Sequence, residues 1–132
     1  MLAYEGIDHV ALRVRDLAPM LAFYTEALGC ALVRKQEDQG LYLLRAGSGL
    51  IVLHVVDDAP RDAQRAHLDH ICLRLADFDA GAIREHLRAH GVDCGTPVLR
   101  DGAKGETSAL YIRDPEGNVI ELKAPGASAG TC

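Results

Sequence analysis

Two histidines, His9 and His70, each follow an aspartate, and each opens a stretch that is repeated in the chain. The segment IDHVALRVRDL at 7–17 recurs without gaps as LDHICLRLADF at 68–78, with five of eleven positions identical. The identical pairs are Asp8/Asp69, His9/His70, Leu12/Leu73, Arg13/Arg74 and Asp16/Asp77. The chain therefore reads as two copies of one unit, each carrying a histidine at the same place. A third candidate lies near the end. In 118–123, Ile120 and Leu122 make one strand face and Val119, Glu121 and Lys123 the other. With Ile120 and Leu122 packed on a helix, Glu121 shares the face of the histidines. A buried carboxylate without a partner is costly. Two histidines and a carboxylate around a divalent metal would remove that cost and leave open positions for water, oxygen or substrate. From these residues alone, metal ligands and satisfied structural histidines are equally good readings.

The elements that must position these side chains follow from periodicity. Residues 7–14 alternate as a strand, with Val10, Leu12 and Val14 on the packing face and His9, Ala11 and Arg13 on the other. Asp16 and Pro19 start a helix over about 17–28, with Leu17, Leu21, Tyr24 and Leu28 at helical spacing and Gly29 as its stop. Strands follow over 31–35, 40–45 and 50–56, the last apolar but for His54 and so expected to be central. A polar linker spans 57–67. The second half repeats the plan: a strand over 68–75, a helix over about 80–90 capped by Asp79, a strand within 92–99 broken by Pro97, a loop over 101–106, and strands over 108–113 and 118–123 joined by a turn at Asp114-Pro115-Glu116-Gly117. The expected fold class is α+β: two tandem βαβββ modules (about 6–57 and 67–124) whose sheets join into a curved mixed sheet, a cup with helices outside. They form one domain over 1–124, followed by a flexible tail at 125–132.

Composition narrows the function. The net charge of −5 argues against a nucleic-acid partner. No apolar run approaches a membrane span, and the N-terminus lacks a signal-peptide pattern, so a soluble cytoplasmic protein is expected. Cys30, Cys72, Cys94 and Cys132 form no Cys-x-x-Cys pair and are read as free thiols.

Several of these pieces resemble the vicinal oxygen chelate superfamily, which includes glyoxalase I, extradiol dioxygenases, methylmalonyl-CoA epimerase, fosfomycin-resistance transferases and bleomycin-resistance proteins. The matching pieces include DHVAL at 8–12, AFY at 22–24, ALG at 27–29, DHI at 69–71, LRAHGV at 87–92 and YIRDPEGNVIEL at 111–122. The resemblance covers about 6–124. It implies the paired βαβββ cup and a divalent metal (Fe2+, Zn2+, Ni2+, Mn2+ or Mg2+) held by His9, His70 and Glu121. It also implies a small-molecule substrate with adjacent oxygens and a homodimer. In four-ligand members a Glu or Gln stands on the fourth strand of the first half. Aligning residues 51–53 with 120–122 puts Val52 there, and valine neither binds metal nor moves a proton. The proton abstraction typical of glyoxalases is thereby disfavoured, and the three-ligand pattern is more similar to extradiol dioxygenases and fosfomycin-type transferases.

The remaining candidates surround that set. His54 and Tyr111 are the candidate catalytic side chains. His54 is readable as a fourth ligand, a pocket acid/base or a rim residue, and Tyr111 as a pocket hydrogen-bond donor. Arg13, Arg74, Val52, Lys104 and Ser108 are candidates for substrate contact, the two arginines equally readable as partners of rim carboxylates. His86 and His90, four apart on a helix, read as a solvated face. Two functions remain in view: a metal-dependent dioxygenase, lyase, isomerase or thiol transferase, and a non-catalytic drug-binding protein similar to bleomycin-resistance proteins.

Overall fold

The computed structural model describes residues 2–59 and 67–126. The chain divides into two compact units, Met1–Asp62 and Ala63–Cys132. Among the described residues the fold is α+β, and each unit holds one four-stranded mixed sheet. Residues 60–66 of the expected linker (57–67) and residues 127–132 of the expected tail (125–132), Cys132 included, lie outside the described residues.

In the first unit the order is β1 (His9–Val14), α1 (Leu17–Ala22), β2 (Ala31–Gln36), β3 (Leu41–Ala46) and β4 (Gly49–Val55). The sheet order is β1-β4-β3-β2, with β1 parallel to β4 and the other pairs antiparallel. The apolar β4 is therefore central, because a strand flanked on both edges can bury both faces. Leu12, Val14, Met20, Phe23, Tyr24, Leu44, Ile51 and Leu53 are buried. The helix departs from the regular one expected over 17–28: after Ala22 it widens into a π-helical turn over Phe23–Ala27, and the Leu28 amide donates to Phe23 O at 3.0 Å. Thr25 supplies a physical reason, since its hydroxyl donates to Leu21 O at 2.7 Å and competes for a carbonyl that the backbone would use. Asp16 stands at the helix start, yet its side chain makes no capping hydrogen bond.

The second unit contains β5 (His70–Arg74), α2 (Ala80–Ala89), β6 (Val98–Arg100), β7 (Thr107–Arg113) and β8 (Val119–Lys123). Its sheet order is β5-β8-β7-β6, the same plan with β5 parallel to β8. Asp79 caps α2 by accepting from the Ala82 amide at 3.1 Å. The expected strand within 92–99 is reduced to three residues shifted toward its C-terminal end, because Pro97 has no amide hydrogen to give a ladder.

The turn between β7 and β8 is built around one buried side chain. Asp114 Oδ1 accepts from the Glu116 amide (3.0 Å) and the Asn118 amide (2.9 Å), and Oδ2 accepts from Asn118 Nδ2 (2.8 Å). The Gly117 amide closes on Asp114 O at 2.9 Å, and Gly117 has φ 89°. This turn sets the register that puts Tyr111 opposite Glu121. Replacing Asp114 by Ala removes the acceptor for three donors at once. Urea unfolding of Asp114→Ala is expected to show a loss of about 2–3 kcal/mol, with Asp114→Asn losing less. A change below about 0.5 kcal/mol would rule out this role for the turn.

Candidate active site

The sheet face that carries Glu121 collects the chemistry of the second unit. Strand register sets Cys72 beside Glu121 and Glu121 beside Tyr111. Glu121 is only 4% exposed. Tyr111 Oη donates to Glu121 Oε1 at 2.8 Å, and His70 Nε2 lies 3.4 Å from the same oxygen. The rings of His70 and Tyr111 meet edge to face, with centroids 6.2 Å apart. Burial pushes the Tyr111 phenol above its ordinary range, and donation to Glu121 adds to this, while hydrogen bonding from Arg100 opposes it.

The aspartate before each histidine has a consistent role. His70 Nδ1 lies 2.6 Å from Asp69 Oδ2, and His9 Nδ1 lies 2.7 Å from Asp8 Oδ1. An ionised carboxylate only accepts, so Nδ1 carries the ring hydrogen and a neutral ring presents a lone pair at Nε2. At His70 that lone pair faces the Glu121 carboxylate, so two acceptors confront each other at 3.4 Å. A cation between them, either a proton on Nε2 or a metal ion, turns that confrontation into attraction. The donor set, an imidazole oriented by a carboxylate plus a buried carboxylate, thus fits a divalent metal. The second unit gathers two such donors. Among the described residues, no three His, Cys, Asp or Glu side chains are gathered in a group able to hold an ion.

Two residues not singled out from the sequence complete this face. Lys123 is 5% exposed, and its ammonium donates to Thr107 Oγ1 (2.8 Å), Thr107 O (3.3 Å) and Arg100 O. It thereby ties β8 to the ends of β6 and β7. Gly102 belongs to the same packing, since a Cβ there would meet Lys123 Cε at 2.6 Å. Arg100 Nε donates to Tyr111 Oη at 3.2 Å. Lys123 already shared the strand face of Glu121 in the sequence, and a buried lysine on that face was the available signal. Arg100 fell beyond the expected end of its strand, so its face was not read.

The first unit carries the equivalent frame with different side chains. Ala11 pairs with Val52 as Cys72 pairs with Glu121, and Arg13 pairs with His54 as Arg74 pairs with Lys123. Val52 is therefore the counterpart of Glu121, His54 of Lys123, and Leu43 of Tyr111. Both Val52 and Leu43 are buried. His9, Arg13, Val52 and His54 lie on this sheet, and within the second unit the structure brings together His70, Tyr111 and Glu121. Arg74 shares their sheet face at the Lys123 end of β8. Lys104 is exposed in the loop after β6. Ser108 has the parity of the buried Leu110 and Ile112, so it lies on the opposite side of the sheet from Tyr111. The His90 ring stacks near His86 and its Nδ1 lies 3.0 Å from His86 O, an interaction local to the helix.

A paired βαβββ plan with a histidine on each leading strand defines a family, and the comparisons agree. The model of the Glyoxalase/Bleomycin resistance protein/Dioxygenase superfamily matches residues 6–122, and the chain belongs to that superfamily. It is 33% identical over 127 residues to the Glyoxalase domain-containing protein RDO1 of Mycosarcoma maydis, covering 93% of this chain and 70% of that protein. It is 31% identical over 121 residues to Virulence protein STM3117 of Salmonella typhimurium, covering 89% of this chain and 83% of that protein. The crystal structure of STM3117 matches with a TM-score of 0.75 at 29% identity, covering 93% of this chain and 98% of that one. More distant relatives span three chemistries by name. Metapyrocatechase 2 of Cupriavidus necator is 26% identical over 92% of this chain and 34% of its own length. Metallothiol transferase FosB of Staphylococcus haemolyticus is 24% identical (89% and 82%), and a probable lactoylglutathione lyase of Vibrio cholerae is 28% identical (92% and 91%).

Cys72 offers a direct probe of this face. The residue is exposed, yet partial desolvation of its thiol, then the charge of Glu121 and a hydrogen bond to it, push its pKa up to about 11. The thiol therefore stays protonated through neutral pH. In chelator-treated protein, Cys72 is expected to react with a disulfide reagent at pH 8 roughly tenfold or more slowly than an ordinary exposed thiol. Glu121→Gln removes the charge, lowers the pKa and raises the rate. Equal rates in the two proteins would show that Glu121 does not govern this thiol.

Proposed function

We propose that the protein is a divalent-metal-dependent enzyme that acts on a small substrate with vicinal oxygens. The observation that carries this reading is the buried Glu121 carboxylate facing the Nε2 of a histidine whose other nitrogen is held by Asp69. His70 and Glu121 would hold the ion, with His9, oriented by Asp8 in the same way, as the third ligand. Bound there, the ion would supply Lewis-acid stabilisation of charge developing on adjacent substrate oxygens. Tyr111 would fix the Glu121 carboxylate. Arg13 and Arg74 would meet an anionic part of the substrate, Lys104 on its loop another, and Val52 an apolar part. His54 is the remaining candidate for proton transfer. Ser108, on the far side of its sheet, takes no part in this reading.

Among the chemistries named by the relatives, ring-cleaving dioxygenation and thiol transfer fit better than glyoxalase-type isomerisation. Isomerisation needs a base to take a proton next to a carbonyl, and the counterpart of Glu121 in the first unit is Val52. Iron in the purified protein would favour dioxygenation, and nickel or zinc lyase work.

Elemental analysis and Co(II) titration test the reading. The wild type is expected to take up one ion per chain, with affinity reduced about a hundredfold or more in His70→Ala and Glu121→Gln. A wild type that purifies metal-free and cannot be reconstituted would leave non-catalytic binding of a drug-like molecule as the better account. The metallated protein is then to be assayed against catechols, thiol adducts of 2-oxoaldehydes and fosfomycin, and turnover of one class is expected. Failure of all three would remove the reaction classes named here. A homodimer belongs to the same proposal, and a stable monomer by light scattering would remove it.

A further inference from the structure

We infer that Arg100 is a positioning residue that fixes the hydroxyl of Tyr111 as a donor to Glu121. The argument rests on donor and acceptor inventory. Arg100 Nε lies 3.2 Å from Tyr111 Oη, and Tyr111 Oη lies 2.8 Å from Glu121 Oε1. A guanidinium only donates and a carboxylate only accepts. The phenol between them has one hydrogen, so the row runs in one direction: Arg100 to Tyr111 to Glu121. Without Arg100, the phenol oxygen is free to take a hydrogen bond from water and its own hydrogen is free to turn away. A donor already engaged by a cation is also the stronger donor to the next group.

Arg100 is itself held on both sides of its Cα. Its Nη1 donates to Leu99 O at 2.8 Å, its guanidinium carbon sits 5.7 Å from the Tyr111 ring centroid, and its carbonyl accepts from the buried Lys123 ammonium. The side chain is exposed, so its replacement leaves no hole in the core. The consequence for metal retention rests on the ligand role of Glu121 proposed above: a carboxylate pinned at Oε1 needs no reordering when an ion arrives.

The test uses the full chain labelled at tyrosine Cζ, with the Tyr111 resonance identified by its absence in Tyr111→Phe. In metal-free protein, Arg100→Met is expected to move that resonance, Arg100→Lys to restore part of the shift, and neither to change the thermal midpoint measurably. A Tyr111 resonance unmoved by Arg100→Met overturns the inference. With Co(II), Arg100→Met is expected to weaken binding about three- to tenfold in the wild-type background and to add nothing in the Tyr111→Phe background. Equal losses in both backgrounds would show that Arg100 does not act through Tyr111 and would equally overturn it. If the wild type takes up no Co(II), the metal reading falls alone, and the metal-free resonance still decides the role of Arg100.

Discussion

A carboxylate buried to 4% exposure is the constraint on which the second unit is arranged. An isolated buried charge costs several kcal/mol or more, so Glu121 exists in this form only because donors are brought to it. Two strands bring them by register: Tyr111 is opposite on β7 and Cys72 is opposite on β5, while His70 leads β5 one pleat away with its Nε2 3.4 Å from the carboxylate. The Asp114 turn, which sets the β7–β8 register, is thus as much a part of the site as the side chains it aligns. A one-residue slip would carry Tyr111 to the core face and leave Glu121 facing Leu110 or Ile112.

The repeat makes the same point by contrast. Two units share strand order, parallel outer pair and histidine placement, yet among the described residues the buried charged side chains lie in the second. In the first unit the positions of Glu121 and Tyr111 are held by Val52 and Leu43, both buried. Burial at the middle of the sheet face is therefore a property of the frame. What differs is whether the buried position is filled by an apolar side chain, at no electrostatic cost, or by a polar pair that must be satisfied internally. Two histidines with one carboxylate is the natural outcome of keeping the strand that carries the imidazole in both units while varying the strand beside it.

Much of this was legible in the sequence because it depends on period-two alternation and on an ungapped repeat. The strand faces of His9, His70 and Glu121 followed from neighbours such as Leu12, Leu73 and Ile120, and the pairing of Val52 with Glu121 followed from aligning two strands of equal pattern. The parts that were not legible depend on backbone irregularity or on long side chains. The wide turn at Phe23–Ala27 involves a hydroxyl competing for a carbonyl, which the apolar spacing of 17–28 does not register. The strand holding Arg100 begins after Pro97, later than its apolar residues suggested, and the shift hid the residue that donates to the Tyr111 hydroxyl. Ser108 was read as a substrate contact, whereas in β7 it takes the parity of the buried Leu110 and lies on the other side of the sheet from Tyr111.

Lys123 shows how charge and frame are coupled on this face. It stands two residues after Glu121 on the same side of β8, buried, with its ammonium satisfied by Thr107 and by the carbonyl of Arg100. A lysine so committed is a fixed positive charge and a structural tie at once. It holds the end of β6 where Arg100 reaches Tyr111, and it offsets part of the negative charge that Glu121 brings into the sheet. Its counterpart in the first unit is His54, a side chain with a shorter reach. The duplicated frame thus supplies two ends of different character, one locked by a lysine around a carboxylate, the other apolar at its middle and ending in an imidazole.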